Sequence, residues 1–240
     1  PNKSRPYRFT DDPTPEDIPS TYIDKEMLQN HLGLSGIDIN GNSIEEGILL
    51  PETQNHLLFD ISESMFADSE FPCEYQYGLT GTFALMVGFA IGLPPLWDNN
   101  TGESRIGVFG LMDQGSNNGR GIIPAPPTAW SRVSAGWEKP LNISTSQIIH
   151  LPKRSKGNLI KVPIRNNEYY LIENRNNEID GGVGLDSIRY LIGQDSGEYP
   201  SYIEILQDSS GIEKDTRGVA DYFRNYDIGL PSSGLLIWHI

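Results

Sequence analysis

The chain has 240 residues, with 18 Lys+Arg against 32 Asp+Glu and a formal net charge of −14, enough length for one or two domains around a sizeable core. That balance argues against a nucleic-acid partner, which needs clustered cations for the phosphates, and against an anionic membrane surface. The 25 glycines and 17 prolines exceed average usage and predict many turns and few long helices, while 37% hydrophobic and 10% aromatic content is too high for a disordered chain.

Residues 1–20 hold five prolines among acids and hydroxyls and read as an extended arm. Tyr22, Met27, Leu28 and Leu32 then recur at roughly helical spacing and predict one short helix over 21–34. Asp38-Ile-Asn-Gly-Asn42 has the alternate oxygen side chains a hard cation takes. Gly41 nevertheless precedes the third ligand position of an EF-hand and Leu49 stands where its bidentate acid belongs, so the segment reads as an Asn-Gly turn. The single cysteine, Cys73, excludes an intramolecular disulfide and a thiolate metal cluster, and reads as buried and inert.

The most apolar stretch runs from Leu79 to Leu96. It is shorter than the roughly 20 residues that span a bilayer, and Pro94-Pro95 stop it. It is therefore no transmembrane span. Being apolar on every side, it predicts a central buried helix over 80–92, with Gly78, Thr80 or Thr82 at its start and Gly92 near its end. Residues 126–137 predict another short helix, with prolines at its start and Gly136 near its end. After Trp137, short β-rich runs at Gln147–Leu151, Asn158–Ile164 and Glu168–Glu173, and a last one at Leu235–Ile240, are separated by Lys/Gly or Asn-Asn turns. The expected organisation is an arm and irregular part over 1–78, a helical part over 79–137 and a β-rich region over 138–240.

Two sets of motifs go further. Gly88-Phe-Ala-Ile-Gly-Leu-Pro-Pro-Leu-Trp-Asp98, Asn99-Asn-Thr-Gly102, Gly107-Val-Phe-Gly-Leu-Met-Asp-Gln-Gly-Ser116 and Pro124 to Trp137 form the first. Tyr169-Tyr-Leu-Ile-Glu-Asn-Arg175 and Asn225-Tyr-Asp-Ile-Gly-Leu-Pro-Ser-Ser-Gly-Leu-Leu-Ile-Trp-His-Ile240 form the second. In this order the chain resembles the M6 (immune inhibitor A-like) family of secreted metallopeptidases over most of 79–240; residues 1–70 do not carry the resemblance. It implies an α+β fold with a partial metzincin-like (zincin) subdomain, comprising the central helix and a methionine turn at Leu111-Met112-Asp113, followed by the β-rich region.

In that family the helix supplies His-Glu-x-x-His, two imidazoles one turn apart on a zinc ion and a Glu that activates its water. Aligned through Gly92-Leu93-Pro94, those positions fall on Leu85, Met86 and Phe89, and the third ligand on Pro95, leaving Asp98 as the nearby carboxylate. None of the four replacements ligates zinc, and a catalytic zinc needs three protein ligands. His31, His56, His150 and His239 are scattered without a pair at ligand spacing and read as surface or strand residues. Leu, Met and Phe in place of buried polar groups add about 1.5–3 kcal/mol of burial per side chain, so this helix reads as core and Met112 as part of a packed turn.

The resemblance thus implies a degenerate member without a zinc site or catalytic residues, a pseudoprotease serving as scaffold or binding module of a secreted or cell-surface protein, bacterial by that resemblance. Two alternatives remain: an active metallopeptidase whose ligands come from another segment, and an adhesin or component of an extracellular assembly whose face near Trp97 and Trp130 holds a peptide without cutting it. Gly-x-Ser-x-Gly is absent, and no Ser, His and Asp are grouped. Glu173, Asp180, Asp186, Asp195 and Asp227 are carboxylates among glycines. The segment from Asn177 to Asp186 makes Asp180 and Asp186 candidate calcium ligands, a solvated acidic loop being the alternative. Arg175, two residues beyond Glu173 on a strand, reads as the structural partner of a neighbouring acid. Sequons stand at Asn2, Asn99 and Asn142. The chain opens at Pro1 and closes inside an apolar run, and so reads as a processed or excised piece.

Overall fold

In the computed structural model, which describes residues 20–50, 79–119, 121–153, 158–179, 183–197, 212–214, 220–223 and 225–240, the first helix begins where Asp24 Oδ1 accepts the Met27 backbone N–H at 2.8 Å. A carboxylate in that position satisfies one of the orphan donors of a first turn and favours its positive end. Helix α1 runs Lys25–Leu32 and ends at Gly33, whose φ of 65° is the left-handed cap conformation that glycine adopts without a Cβ clash. The helix expected over 21–34 is shorter than that range. Thr21–Ile23 form strand β1, because Tyr22 and Ile23 pair with Ile48 and Gly47 of β4, Gly47–Leu49. The expected arm, Cys73, His56, Asn2 and Asp180 lie outside the described residues.

The Asn-Gly turn is present. Strands β2 (Ile37–Ile39) and β3 (Asn42–Ile44) form a hairpin in which Ile39 opposes Asn42. Only Asn40 and Gly41 lie between them, at φ 54° and 81°. Both values are left-handed, as the two-residue hairpin loop that matches strand twist requires.

Helix α2, Thr80–Ala90, follows the long apolar stretch, and its cap at Leu79 has no side-chain hydrogen bond. Gly81, Thr82, Met86 and Gly88 are buried on it, whereas Phe83 is 51% exposed. The expectation of a helix buried all round is therefore corrected: a sequence apolar on every side carries no periodic signal of which face meets protein. α2 packs against β1 and β4. No described helix is long and apolar enough to cross a membrane.

Thr128 Oγ1 accepts the Ser131 N–H at 3.1 Å and starts α3, Ala129–Ser134. Strands β5 (Leu141–Asn142), β6 (Ile160–Arg165), β7 (Glu168–Arg175) and, at the end of the chain, β12 (Gly234–His239) make a four-stranded sheet of order β12-β7-β6-β5. Only β5 and β6 run parallel. Ala129 of α3 packs with Leu159 and Leu171 as the core under this sheet, with Trp130, Tyr169, Trp238 and Ile240 around them. The strand expected at Gln147–Leu151 does not form. Ile148 there is fully exposed while Ile149 and Leu151 are half-buried, and the Leu151 carbonyl accepts from the Asn174 side chain, Nδ2 to O 2.9 Å, in place of a strand partner.

Between Asn177 and Asp186 the chain forms the small pair β8 (Glu178–Ile179) and β9 (Val183–Gly184), and runs straight into α4, Leu185–Ser196. That helix stands inside the region expected to be β-rich; Leu185, Ile188 and Ile192 are its helical-period signal. Strands β10 (Ile212–Lys214) and β11 (Ala220–Phe223) pair antiparallel, and a 3-10 turn over Tyr226–Gly229 leads toward β12. The described chain is thus mixed α+β, with four helices and several small sheets. Its contacts divide it into two compact units, Pro1–Pro94 with Arg120–Ile122, and Pro95–Gly119 with Ile123–Ile240.

Candidate functional site

In the first unit, α2 carries the positions that the resemblance equates with zinc ligands. Leu85 and Phe89 are four residues apart, on one face of the helix, and half-buried, while Met86 is buried. Their side chains offer hydrocarbon and one thioether. Pro95, in the second unit, is half-buried and likewise has no donor for a metal.

Asp98, the nearest carboxylate in sequence, is engaged. Its Oδ1 accepts the N–H groups of Asn100 at 2.9 Å and Thr101 at 3.2 Å, and its Oδ2 pairs with Arg105. The Asn100 amide first, then Arg105 and Thr101, hold this carboxyl below the usual carboxylate range.

Met112 is fully buried in the turn that follows, and its carbonyl accepts the Leu96 N–H at 2.8 Å. The organising group there is Asp113, 4% exposed. Its Oδ2 accepts from Ser104 Oγ at 2.9 Å and from the N–H groups of Arg105, Ile106 and Gly107 at 2.9, 2.8 and 3.2 Å. Its Oδ1 accepts the Gln114 N–H at 2.8 Å. Three consecutive amides converging on one oxygen make an anion nest, filled here by the chain's own carboxylate. Sequence reasoning saw Asp113 only as a motif letter, because backbone donors leave no mark in side-chain pattern.

A second set of charges lies under the four-stranded sheet. Arg132 of α3 donates Nη2–H to Glu173 Oε2 at 2.7 Å, Nε–H to Glu138 Oε2 at 2.6 Å and Nη1–H to Pro127 O at 2.5 Å. Glu173 Oε1 also accepts from Trp238 Nε1 at 3.0 Å and Arg175 Nη1 at 3.3 Å. Arg175 closes on Asp227 Oδ1 with Nε and Nη2 at 2.9 and 2.6 Å, and Asp227 Oδ2 accepts the Asn176 N–H at 3.3 Å. Glu173, Arg175, Asp227 and Arg132 are 0, 1, 3 and 6% exposed.

Burial pushes the Glu173 carboxyl up. The charges of Arg132 and Arg175, with the hydrogen bonds from Arg132 and Trp238, outweigh it and hold Glu173 below its ordinary value. Desolvation lowers Arg132 in turn, and Glu173 and Glu138 together raise it above its ordinary value. These carboxylates are committed as acceptors to fixed donors, so the cluster fastens α3, β7, β12 and the 3-10 turn together. The sequence reading of Arg175 as the partner of a neighbouring acid holds. Glu173 and Asp227, which the sequence shows only as carboxylates among glycines, are buried. Arg132, Glu138 and Trp238 are the members that sequence reasoning missed.

Of the candidate calcium ligands, Asp186 is the second residue of α4 and Asp180 lies outside the described residues. His31 and His150 are exposed, and His239 Nε2 lies 2.8 Å from Glu168 Oε1 at the surface. Among the described residues no group of three or more His, Cys, Asp or Glu is placed to share a metal ion. In comparisons with known proteins, no family model, curated protein or solved structure matches the chain. The likeness to the M6 metallopeptidases therefore stands on the motifs alone.

Proposed function

We propose that the chain is a catalytically inactive, metzincin-like domain that acts by binding, as a scaffold or interaction module of a secreted or cell-surface protein. The observation that carries this reading is α2: at the positions where the resemblance requires two imidazoles and a carboxylate it bears Leu85, Phe89 and Met86, and Met86 is buried. A helix so occupied contributes packing and offers no Lewis acid or general base. In this reading Leu111-Met112-Asp113 is the methionine turn, held by the nest around Asp113. The partner is a protein or peptide, or a larger extracellular assembly, and Asp180 and Asp186 are the calcium candidates. Exposed apolar residues on β12, Leu235 at 59% and Ile237 at 60%, support the binding part.

Elemental analysis of the purified chain, dialysed with and without added zinc and calcium, tests the proposal together with a casein-degradation assay. The expected result is no stoichiometric zinc and no proteolysis that a chelator abolishes. One tightly bound zinc per chain, or chelator-sensitive cleavage, would overturn it and favour an active peptidase with ligands from another segment.

A further inference from the structure

The chain contains two Asn-Gly pairs, Asn40-Gly41 and Asn118-Gly119, and the fold treats them oppositely. Asn40 and Gly41 are both exposed at the tip of the β2–β3 hairpin. Among the described residues the Asn40 side-chain amide has no hydrogen-bond partner. A Cβ built on Gly41 would meet nothing within 4 Å, so the Gly41 nitrogen is approachable from the side on which other residues carry a side chain. Asn118 is 7% exposed. Its Nδ2 donates to Val108 O at 2.9 Å and its carbonyl accepts the Ile123 N–H at 3.3 Å. Gly119 lies against Ile123, whose atoms would be 3.6–3.7 Å from an added Cβ.

We propose that Asn40 is a site of spontaneous covalent modification in the native chain, deamidating through a cyclic imide, while folding shields Asn118. The Gly41 amide nitrogen, on losing its proton to hydroxide, attacks Cγ of Asn40. The new C–N bond closes a five-membered succinimide, and the Cγ–Nδ2 bond breaks as ammonia leaves with a proton from water. Water then opens the ring at either carbonyl, giving Asp or isoAsp at position 40. Reaction at Asn118 would require its side chain to leave Val108 and its carbonyl to part from the Ile123 N–H, which the native packing opposes.

One contact sets the rate at the exposed site. The Gly41 N–H donates to Asp38 Oδ1 at 3.1 Å, and a carboxylate beside that nitrogen disfavours the anion the attack needs. Asp38 is therefore a brake on the reaction. The product carries consequences for the hairpin: isoAsp inserts an extra backbone carbon into a two-residue loop whose register depends on its length. Either product also adds a negative charge two residues from Asp38.

The test is peptide mapping by mass spectrometry after incubating the full chain at mildly alkaline pH, once in buffer and once in urea. In buffer, conversion is expected at Asn40 with Asn118 intact; in urea, where the fold no longer separates them, both convert. Asn118 keeping pace with Asn40 in buffer, or Asn40 remaining unchanged in buffer while it converts in urea, would overturn the proposal. Asp38→Ala is expected to convert faster at Asn40 than the natural chain, and an equal or slower rate would overturn the role given to Asp38.

Discussion

Arg132 and Glu173 form an ion pair of 2.7 Å in which both side chains are almost wholly removed from water, although 41 positions separate them. Isolated, either charge in that place would be costly. Each is tolerated because the other, with Glu138, Arg175 and Trp238, completes its hydrogen bonds. Removing one member leaves the rest uncompensated, so Glu173→Gln should lose about 3–5 kcal/mol of unfolding free energy in urea titration. Replacing Arg132 and Glu173 together by Met and Leu should lose less than the two single changes combined. A strictly additive double change would mean that the pair is not coupled as the distances indicate.

The same carboxylate sets an acid limit. Glu173 is held below its ordinary value in the folded chain, so its charge stabilises folding in full above the unfolded-state pKa of about 4.3. As pH falls below that, the contribution is lost progressively through the depressed folded-state value. Thermal midpoints measured from neutral to acid pH should therefore drop more steeply for the natural chain than for Glu173→Gln. Parallel curves would show that Glu173 is not the group responsible.

Local chemistry was legible in the sequence where one segment decides its own structure. Asn40-Gly41 folds as a turn, Thr128 after Pro126-Pro127 opens α3, and the β-rich runs at Asn158–Ile164, Glu168–Glu173 and Leu235–Ile240 become β6, β7 and β12. Arg175, two residues beyond Glu173 on β7, was readable as the partner of a neighbouring acid, and the two lie 3.3 Å apart; that the pair is buried was not. Their partners did not show, because Arg132 and Trp238 come from 41 residues before and 65 residues after Glu173, and no local pattern encodes that meeting. The uniform hydrophobicity of α2 concealed its exposed side at Phe83. Of the candidate site, the side-chain types at Leu85, Met86 and Phe89 were readable at once, whereas the work of Asp113 depends on backbone amides and became visible only in three dimensions.

That nest gives a local prediction. Asp113→Ala leaves Ser104 and the amides of Arg105, Ile106 and Gly107 without the oxygen they share. The loss of a charged acceptor with several partly buried donors should cost about 3 kcal/mol in urea unfolding. Hydrogen exchange localises the effect: amides 105–107 should lose protection while those of β6 and β7 keep theirs. Unchanged protection at 105–107 would show that solvent or neighbouring carbonyl groups already satisfy these donors.

The edge of the four-stranded sheet offers the last test. Tyr169 and Ile240 exchange backbone hydrogen bonds of 3.0 and 2.9 Å, so alternation along the antiparallel ladder turns the N–H and C=O groups of Leu235, Ile237 and His239 away from β7. Leu235 and Ile237 are 59 and 60% exposed there. Among the described residues no strand pairs with this edge of β12; an apolar edge strand is a template for pairing with another chain, and a lysine on it opposes that pairing. Ile237→Lys should leave the urea midpoint nearly unchanged, within about 0.5 kcal/mol, and should suppress the rise of light scattering with protein concentration. The small stability effect follows because Ile237 already has most of its surface in water, so the substitution acts on association rather than on folding. If scattering rises as it does for the natural chain, this edge of β12 is not where molecules meet.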